Sequence, residues 1–167
     1  MEILITAEQI QQRVAELASR ITADYGQQPV TIVGVLTGCI IFMADLVRRL
    51  DLQVRIDLIQ ASSYRGATTT PGELRIQAEL VPDVRGHHVL LLDDILDTGH
   101  TLSHLVHHLN ELGAATVKVG VLLRKEGRQR FALEPDYCGF TIPDLFVVGY
   151  GLDYNDKYRQ LPHIAVL

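Results

Sequence analysis

Apolar positions recur along this chain with two periods, one helical and one alternating, and the switches between them divide it into elements. Ile10, Val14, Leu17 and Ile21 fall three to four residues apart on one helical face, behind Thr6 and Gln9, which have the spacing of a capping box. The spacing predicts an opening helix up to about Tyr25, stopped by Gly26 and Pro29. Val30 to Leu36 is a β-branched run suited to a strand buried on both faces, and Ile40 to Leu50, after Thr37-Gly38, reads as a helix. Val54, Ile56 and Leu58 alternate with Arg55 and Asp57, and Leu74, Ile76, Ala78 and Leu80 alternate in the same way, so both are predicted strands. A loop rich in Ser, Thr and Gly, from Ser62 to Gly72, separates them.

After Pro82-Asp83 and Gly86, the strand His88 to Leu92 runs straight into Asp93-Asp94. Leu102, Leu105, Val106, Leu109 and Leu112 then form a helical stripe that ends at Gly113. Val117 to Leu123 is the next strand, followed late in the chain by Phe146 to Val148 and Ile164 to Leu167. Strands alternating with helices imply an α/β fold: a mainly parallel twisted sheet flanked by helices on both faces, in one domain spanning 1–167.

Composition narrows the function classes. The 167 residues are 47% hydrophobic and 21% charged, the balance of a folded globular domain. The net charge of -5 argues against the basic face of a nucleic-acid binder. Cys39 and Cys138 stand far apart, which excludes a readable disulfide framework or thiolate zinc site and fits a reducing cytoplasm. No apolar run reaches a membrane span, and the N-terminal residues do not read as a secretion signal, so neither membrane nor export is expected.

The chemistry concentrates between Val89 and Thr101, where a buried strand ends in two carboxylates and a Thr/Gly turn opens a helix. Ligands of open parallel sheets bind beyond the carboxyl ends of strands, and a helix start presents unpaired N–H groups to a phosphate. Adjacent carboxylates suit ribose hydroxyls and magnesium. Spacing alone is as compatible with Asp93 and Asp94 merely ending a strand while Asp97 caps the helix. Neither a Walker lysine motif nor a G-x-G-x-x-G occurs, which removes the main support for nucleoside triphosphatase or dinucleotide-binding readings.

The segment Leu-Leu-Leu-Asp-Asp-Ile-Leu-Asp-Thr-Gly-His-Thr, residues 90–101, resembles the signature with which type I phosphoribosyltransferases bind 5-phosphoribosyl 1-diphosphate. Leu36-Thr37-Gly38, Ser62-Ser63-Tyr64 and the stretch from Gly139 to Tyr154 extend the resemblance, which is most specific to hypoxanthine-guanine phosphoribosyltransferases. It implies that fold, with a small hood built from the chain ends. It also implies transfer of the phosphoribosyl group to hypoxanthine or guanine, with magnesium, in a cytoplasmic homo-oligomer (dimer or tetramer) that binds neither nucleic acid nor membrane.

Residue by residue, the resemblance makes Asp97 the general base facing the purine N7. Asp93 and Asp94 become the acidic pair on the ribose hydroxyls and magnesium, and Asp97, Thr98, Gly99, His100 and Thr101 the 5′-phosphate loop. His100 departs from the Lys or small polar residue more usual there. Thr37 and Gly38 match the diphosphate loop, where the family often has a cis peptide at the position of Leu36–Thr37, and Arg159 matches a diphosphate-binding arginine. Lys125 would read the purine 6-oxo group, Phe146 stack on the base and Val147 read its edge. Asp153 would close the purine side as a ligand of a second magnesium. Ser63 and Tyr64 would belong to a lid over the reacting centre.

Read without the resemblance, Lys125 is a solvated charge, Phe146 a core residue and the Ser62–Gly72 loop a connector. His100, His104, His107 and His108 read as solvated histidines on the exposed face of their helix rather than as a zinc or nickel site, because leucines claim the buried stripe. Two rivals stand beside the purine enzyme: a regulator of the same fold that binds nucleotide and RNA or DNA without turnover, and a relative preferring xanthine or a pyrimidine.

Overall fold

The computed structural model describes residues 1–64, 73–76 and 82–167. Strands β1 (Glu2–Ile5), β2 (Val30–Leu36), β3 (Val54–Tyr64), β4 (Glu73–Ile76), β5 (His88–Leu96), β6 (Thr116–Lys125), β7 (Tyr137–Ile142), β8 (Val147–Val148) and β9 (Ile164–Val166) alternate with helices α1 (Ala7–Tyr25), α2 (Ile40–Val47) and α3 (His100–Glu111). The main sheet has the order β4-β3-β2-β5-β6-β7, and only β4 runs antiparallel to its neighbour.

Alternation within the buried strands sends successive side chains to opposite helical layers. Ile32, Leu90 and Leu92 pack with Ile10, Val14, Leu17 and Ile21 of α1 and Phe42 and Leu46 of α2. Val33, Val35, Val89 and Leu91 pack with Leu102, Leu105 and Leu109 of α3 on the other face. The capping box at the start of α1 is present, with Gln9 N donating to Thr6 Oγ1 at 3.2 Å and Thr6 N to Gln9 Oε1 at 2.8 Å.

The chain ends form a separate antiparallel sheet, β1-β9-β8, which is the hood. β1 has four residues and β7 carries Gly139, so neither announces itself by periodicity. Helix α2 stops at Val47 rather than Leu50, because Arg49 N and Leu50 N turn back to the carbonyls of Leu46 and Val47 in a tightened i→i+3 last turn. The expected loop beginning at Ser62 is corrected as well. Backbone pairing with β4 carries β3 to Tyr64, with Ser63 opposite Leu74. The rest of that loop, 65–72, and the strand expected through Ala78 and Leu80 lie outside the described residues.

Strand order reverses between β2 and β5: β3 lies outside β2, and β6 and β7 lie outside β5. The loops leaving the carboxyl ends of β2 and β5 therefore diverge, and a crevice opens between them. The loop after β2 begins at Thr37, while β5 continues through Asp93 and Asp94 to Leu96, held by its pairing with β6 past the strand end expected at the carboxylates, so the loop after it begins at Asp97.

Candidate active site

Three segments meet at this crevice with almost no room between them. A Cβ on Gly38 would overlap the Asp94 carboxylate, and a Cβ on Gly151 would overlap the Gly38 carbonyl oxygen. The Leu36–Thr37 peptide is cis. The loop after β2, the acidic end of β5 and the segment carrying Asp153 are thus packed backbone to side chain, which only glycine permits here.

Asp93 is 9% exposed and one of only two buried polar residues among those described. Its Oδ1 accepts from Asp94 N at 2.8 Å, and Asp94 Oδ1 accepts from Ile95 N at 2.7 Å. Burial and the neighbouring Asp94 charge push the Asp93 carboxyl well above its ordinary range. Asp94 is raised by burial, against the hydrogen bonds it accepts. A buried acid with a half-buried one beside it, both raised by desolvation, is the kind of carboxylate pair that suits a cation-binding role.

The polypeptide then turns into α3 through Asp97, Thr98 and Gly99. Asp97 is not a helix cap: the N-cap is Gly99, left-handed at φ 89°, and no side chain caps the helix. The first N–H groups of α3 are left with little competition, His100 N alone reaching Thr98 Oγ1 at 3.3 Å. They border a cavity of about 240 Å3 lined by residues 93–102, from Asp93 to Leu102, so Thr98, His100 and Thr101 share it with the acidic pair. A helix start of this kind can hold an anion, here beside a carboxylate pair.

The histidines divide, which corrects the expectation that all four are solvated. His104 and His107 are exposed, and His107 pairs with Glu111 at 3.1 Å. His100 instead stacks on Phe131, ring centroids 4.9 Å apart and 9° from parallel, and His108 turns its Nε2 into the protein without a partner. His100 is captured because Arg130 N and Phe131 N both donate to the Thr98 carbonyl, bringing the loop after β6 against the turn into α3. No group of three or more His, Cys, Asp or Glu side chains with metal-site geometry occurs among the described residues.

Lys125, at the end of β6, is only 12% exposed at its side chain, which a solvated surface charge would not be. Phe146 is 53% exposed despite its apolar ring, and meets Tyr154 edge-on at 5.6 Å, while Val147 is buried in the hood. Phe146 is therefore not part of the core, and its ring is open to a ligand. Arg159 Nη1 donates to the Gly151 carbonyl at 2.7 Å, and its Nη2 lies 3.3 Å from Asp153 Oδ1. Asp153 also accepts from Asp156 N at 2.9 Å, so its carboxylate is engaged within its own segment rather than clustered with Asp93 and Asp94. Ser63 and Tyr64 occupy the end of β3, and nothing further is described of their side chains.

Sequence reasoning missed Arg128 and Asp144. Arg128 Nε sits 2.8 Å from Asp97 Oδ1, and Asp144 Oδ1 faces both Arg128 Nε at 3.9 Å and Lys125 Nζ at 3.7 Å. The only local signal was position, three residues after Lys125 and two before Phe146. A larger cavity, about 360 Å3, opens at the amino ends of β2, β3 and β5 around Thr31, Arg55, His87 and His88. It has no carboxylate in its lining and lies at the end of the sheet where parallel folds do not place their chemistry.

A switch-point crevice with an acid pair beside an uncapped helix start defines an α/β protein whose candidate site lies at the carboxyl ends of its parallel strands. The chain belongs to the phosphoribosyl transferase family, since residues 3–155 match the Phosphoribosyl transferase domain. It is 42% identical over 166 residues to the hypoxanthine-guanine phosphoribosyltransferase of Streptococcus pneumoniae, covering 99% of this chain and 92% of that one. The crystal structure of a hypoxanthine-guanine phosphoribosyltransferase from Bacillus anthracis superposes with a TM-score of 0.93 at 39% identity, covering 100% of this chain and 98% of the other. A hypoxanthine phosphoribosyltransferase of Trypanosoma cruzi, solved as a ternary substrates complex, gives 0.91 at 40% identity, covering 99% and 94%.

Proposed function

We propose that this protein transfers the 5-phosphoribosyl group from 5-phosphoribosyl 1-diphosphate to hypoxanthine or guanine, releasing the nucleotide and diphosphate in purine salvage. The observation that carries this reading is the Asp93–Asp94 pair, Asp93 buried and Asp94 half-buried, lining one cavity with an uncapped α3 start, supported by similarity over nearly the whole chain to enzymes named for that reaction.

In the reaction, the bond between the sugar C1 and the diphosphate oxygen breaks, a purine nitrogen bonds to C1, and the purine gives up a proton. The N–H groups of residues 99–102 hold the 5′-phosphate with the positive end of the α3 dipole. The base stacks on the exposed ring of Phe146, with Val147 at its edge. Lys125 donates to the 6-oxo oxygen, which discriminates against adenine because an amino group there leaves the buried ammonium unpaired. Asp97 takes the purine proton and places negative charge near the sugar as it becomes cationic. Thr37, Gly38 and Arg159 bind the departing diphosphate, a role supported by the approach of Gly38 to Asp94 and of Arg159 to Asp153.

The donor set fits magnesium, an oxygen-seeking ion held by one or two carboxylates plus substrate phosphates rather than by a full protein cage. Asp93 and Asp94 would hold it with the ribose, and Asp153 a second ion on the diphosphate. When bound, magnesium neutralises the leaving diphosphate and the buried acids. Ser63 and Tyr64 are assigned to a lid excluding water from the activated sugar. The free thiols Cys39 and Cys138 support a cytoplasmic setting, and no helix among the described residues is long and apolar enough to cross a membrane. The exposed Ile40, Ile41, Ile56 and Leu58 support a homo-oligomer.

The test supplies 5-phosphoribosyl 1-diphosphate and magnesium with hypoxanthine, guanine, xanthine and adenine in separate reactions, and follows nucleotide formation by absorbance. Turnover of hypoxanthine or guanine with adenine rejected is the expected result. Failure with every oxopurine overturns the proposal, and turnover of xanthine alone moves the specificity to the runner-up.

A further inference from the structure

Outside the groups already assigned, one arrangement of charges is unusually ordered. Asp97, Arg128, Asp144 and Lys125 alternate in sign: Arg128 Nε touches Asp97 Oδ1 at 2.8 Å, and Asp144 Oδ1 lies between Arg128 Nε at 3.9 Å and Lys125 Nζ at 3.7 Å. The two ends of this row are the assigned base and the assigned reader of the 6-oxo group. Its two inner members have no assigned role.

Arg128 is half exposed, yet its loop is fixed on both sides. Glu126 N donates to the Ile142 carbonyl at 2.9 Å, and Arg130 N to the Thr98 carbonyl at 2.8 Å. Asp144 stands at the tip of a tight turn closed by Leu145 N on the Pro143 carbonyl at 2.8 Å. Backbone ties therefore hold the guanidinium between two carboxylates, and its own charge is reinforced by the hydrogen bond to Asp97 and by both anions.

We propose that Arg128 and Asp144 are a positioning pair for the purine site, in which Arg128 holds Oδ1 of Asp97 while Oδ2 faces the base, and Asp144 receives the guanidinium as Asp97 takes up the purine proton. The inference rests on the proposed roles of Asp97 and Lys125. When the base nitrogen releases its proton to Asp97, that carboxylate loses its charge and Arg128 keeps its own. Asp144 is the remaining anion within reach, so the cation is not left facing a neutral acid. Occupation of Lys125 Nζ by the 6-oxo oxygen simultaneously loosens its hold on Asp144. Arrival of an oxopurine and transfer of Arg128 between carboxylates are thereby linked through one oxygen, Oδ1 of Asp144.

The experiment is a double-mutant cycle of Arg128→Ala and Asp144→Asn, with Arg128→Lys as the conservative variant, on the full chain with magnesium. Arg128→Ala lowers kcat about tenfold through a misplaced base and leaves KM for 5-phosphoribosyl 1-diphosphate within about twofold of wild type. Arg128→Lys recovers part of the loss, because it restores the charge but not the planar fork. Asp144→Asn raises KM for hypoxanthine, and the double variant loses less than the product of the two single losses. A second readout does not need turnover: the Arg128 Nε–H resonance of 15N-labelled protein shifts on adding hypoxanthine with 5-phosphoribosyl 1-diphosphate, and does not shift in Asp144→Asn. An unchanged kcat in Arg128→Ala, losses that multiply, or a resonance that ignores the purine each overturns the pairing. A wild-type chain inactive on every oxopurine overturns the proposed function instead.

Discussion

The two ends of the parallel sheet spend their polar groups differently. At the amino ends of β2, β3 and β5 most polar side chains contact one another, although Asp57 Oδ2 lacks a well-aligned hydrogen bond. Thr31 Oγ1 meets His87 Nδ1 at 2.9 Å, Arg55 pairs with Asp57 at 2.8 Å, and His88 bridges Gln28 and Thr116 at 2.7 and 2.9 Å. At the carboxyl ends, Asp93 and Asp94 face each other and a cavity, each drawing only on a backbone N–H at its own turn. A cavity is present at both ends, and the one at the amino ends is larger. What separates them is charge of one sign: adjacent carboxylates stand at the carboxyl ends, and their repulsion is a cost that a bound ligand can offset.

The largest effect belongs at the carboxyl end. Asp97→Asn is expected to lower turnover by roughly 10² to 10⁴ while substrate binding persists, as removal of a general base does. Steady-state kinetics beside binding of the activated sugar checks this, and an unchanged kcat removes its role as base.

Asp93→Asn is next, and it moves stability and activity in opposite directions. Without magnesium it raises unfolding stability by about 1–3 kcal/mol, because a buried unpaired charge is removed while the acceptor for Asp94 N remains. The sign with pH follows from the raised carboxyl. The folded state of the wild type holds its proton more tightly than the unfolded chain, so its stability falls as pH rises through that raised value, and the gain from Asn grows with it. Urea titrations at several pH values test this, and a gain independent of pH contradicts it. Turnover with magnesium falls in the same variant.

A third prediction concerns the support behind the site. Asp45 of α2 accepts hydrogen bonds from Tyr150, from Gln11 at 3.1 Å and from Arg48 at 2.6 Å, tying the helix after Gly38 to the segment before Asp153. Burial raises its carboxyl, but these bonds and the Arg48 charge outweigh that and leave it lowered. A lowered carboxyl stabilises the fold above its unfolded value and loses that contribution as pH falls through its folded one. Asp45→Asn therefore costs about 1 kcal/mol near neutral pH, and the deficit begins to shrink below about pH 4, where the unfolded carboxyl is protonated, and closes once pH has fallen through the lowered folded value. Denaturant unfolding at both pH values measures it.

The smallest effect belongs at the amino end. Thr31→Val, losing the bond to His87, costs about 1 kcal/mol of stability and leaves kcat and KM unchanged. A kinetic change would show that the two ends are not as separate as their hydrogen bonding implies.

Much of this was legible because it is local. The capping box of Thr6 and Gln9, the strand running into Asp93-Asp94 and the stripe Leu102, Leu105, Leu109 are set by neighbours in the chain, and all three hold. The hood was named only through resemblance, since four residues of β1 and two of β8 have no period to detect. Phe146 reads as core from its chemistry and stands half in solvent, because the turn at Pro143 to Leu145 carries it past the edge of β7.

The alternation of strand and helix, the acidic pair and the turn into α3 are local properties of the chain, because period, glycine position and adjacent charges act over a few residues. Only the tertiary structure decided that Gly38 meets Asp94, that His100 stacks on Phe131, and that Arg128 stands between Asp97 and Asp144. Those contacts join loops from different strands, and their geometry is fixed by the order in which the sheet assembles, which no local pattern encodes.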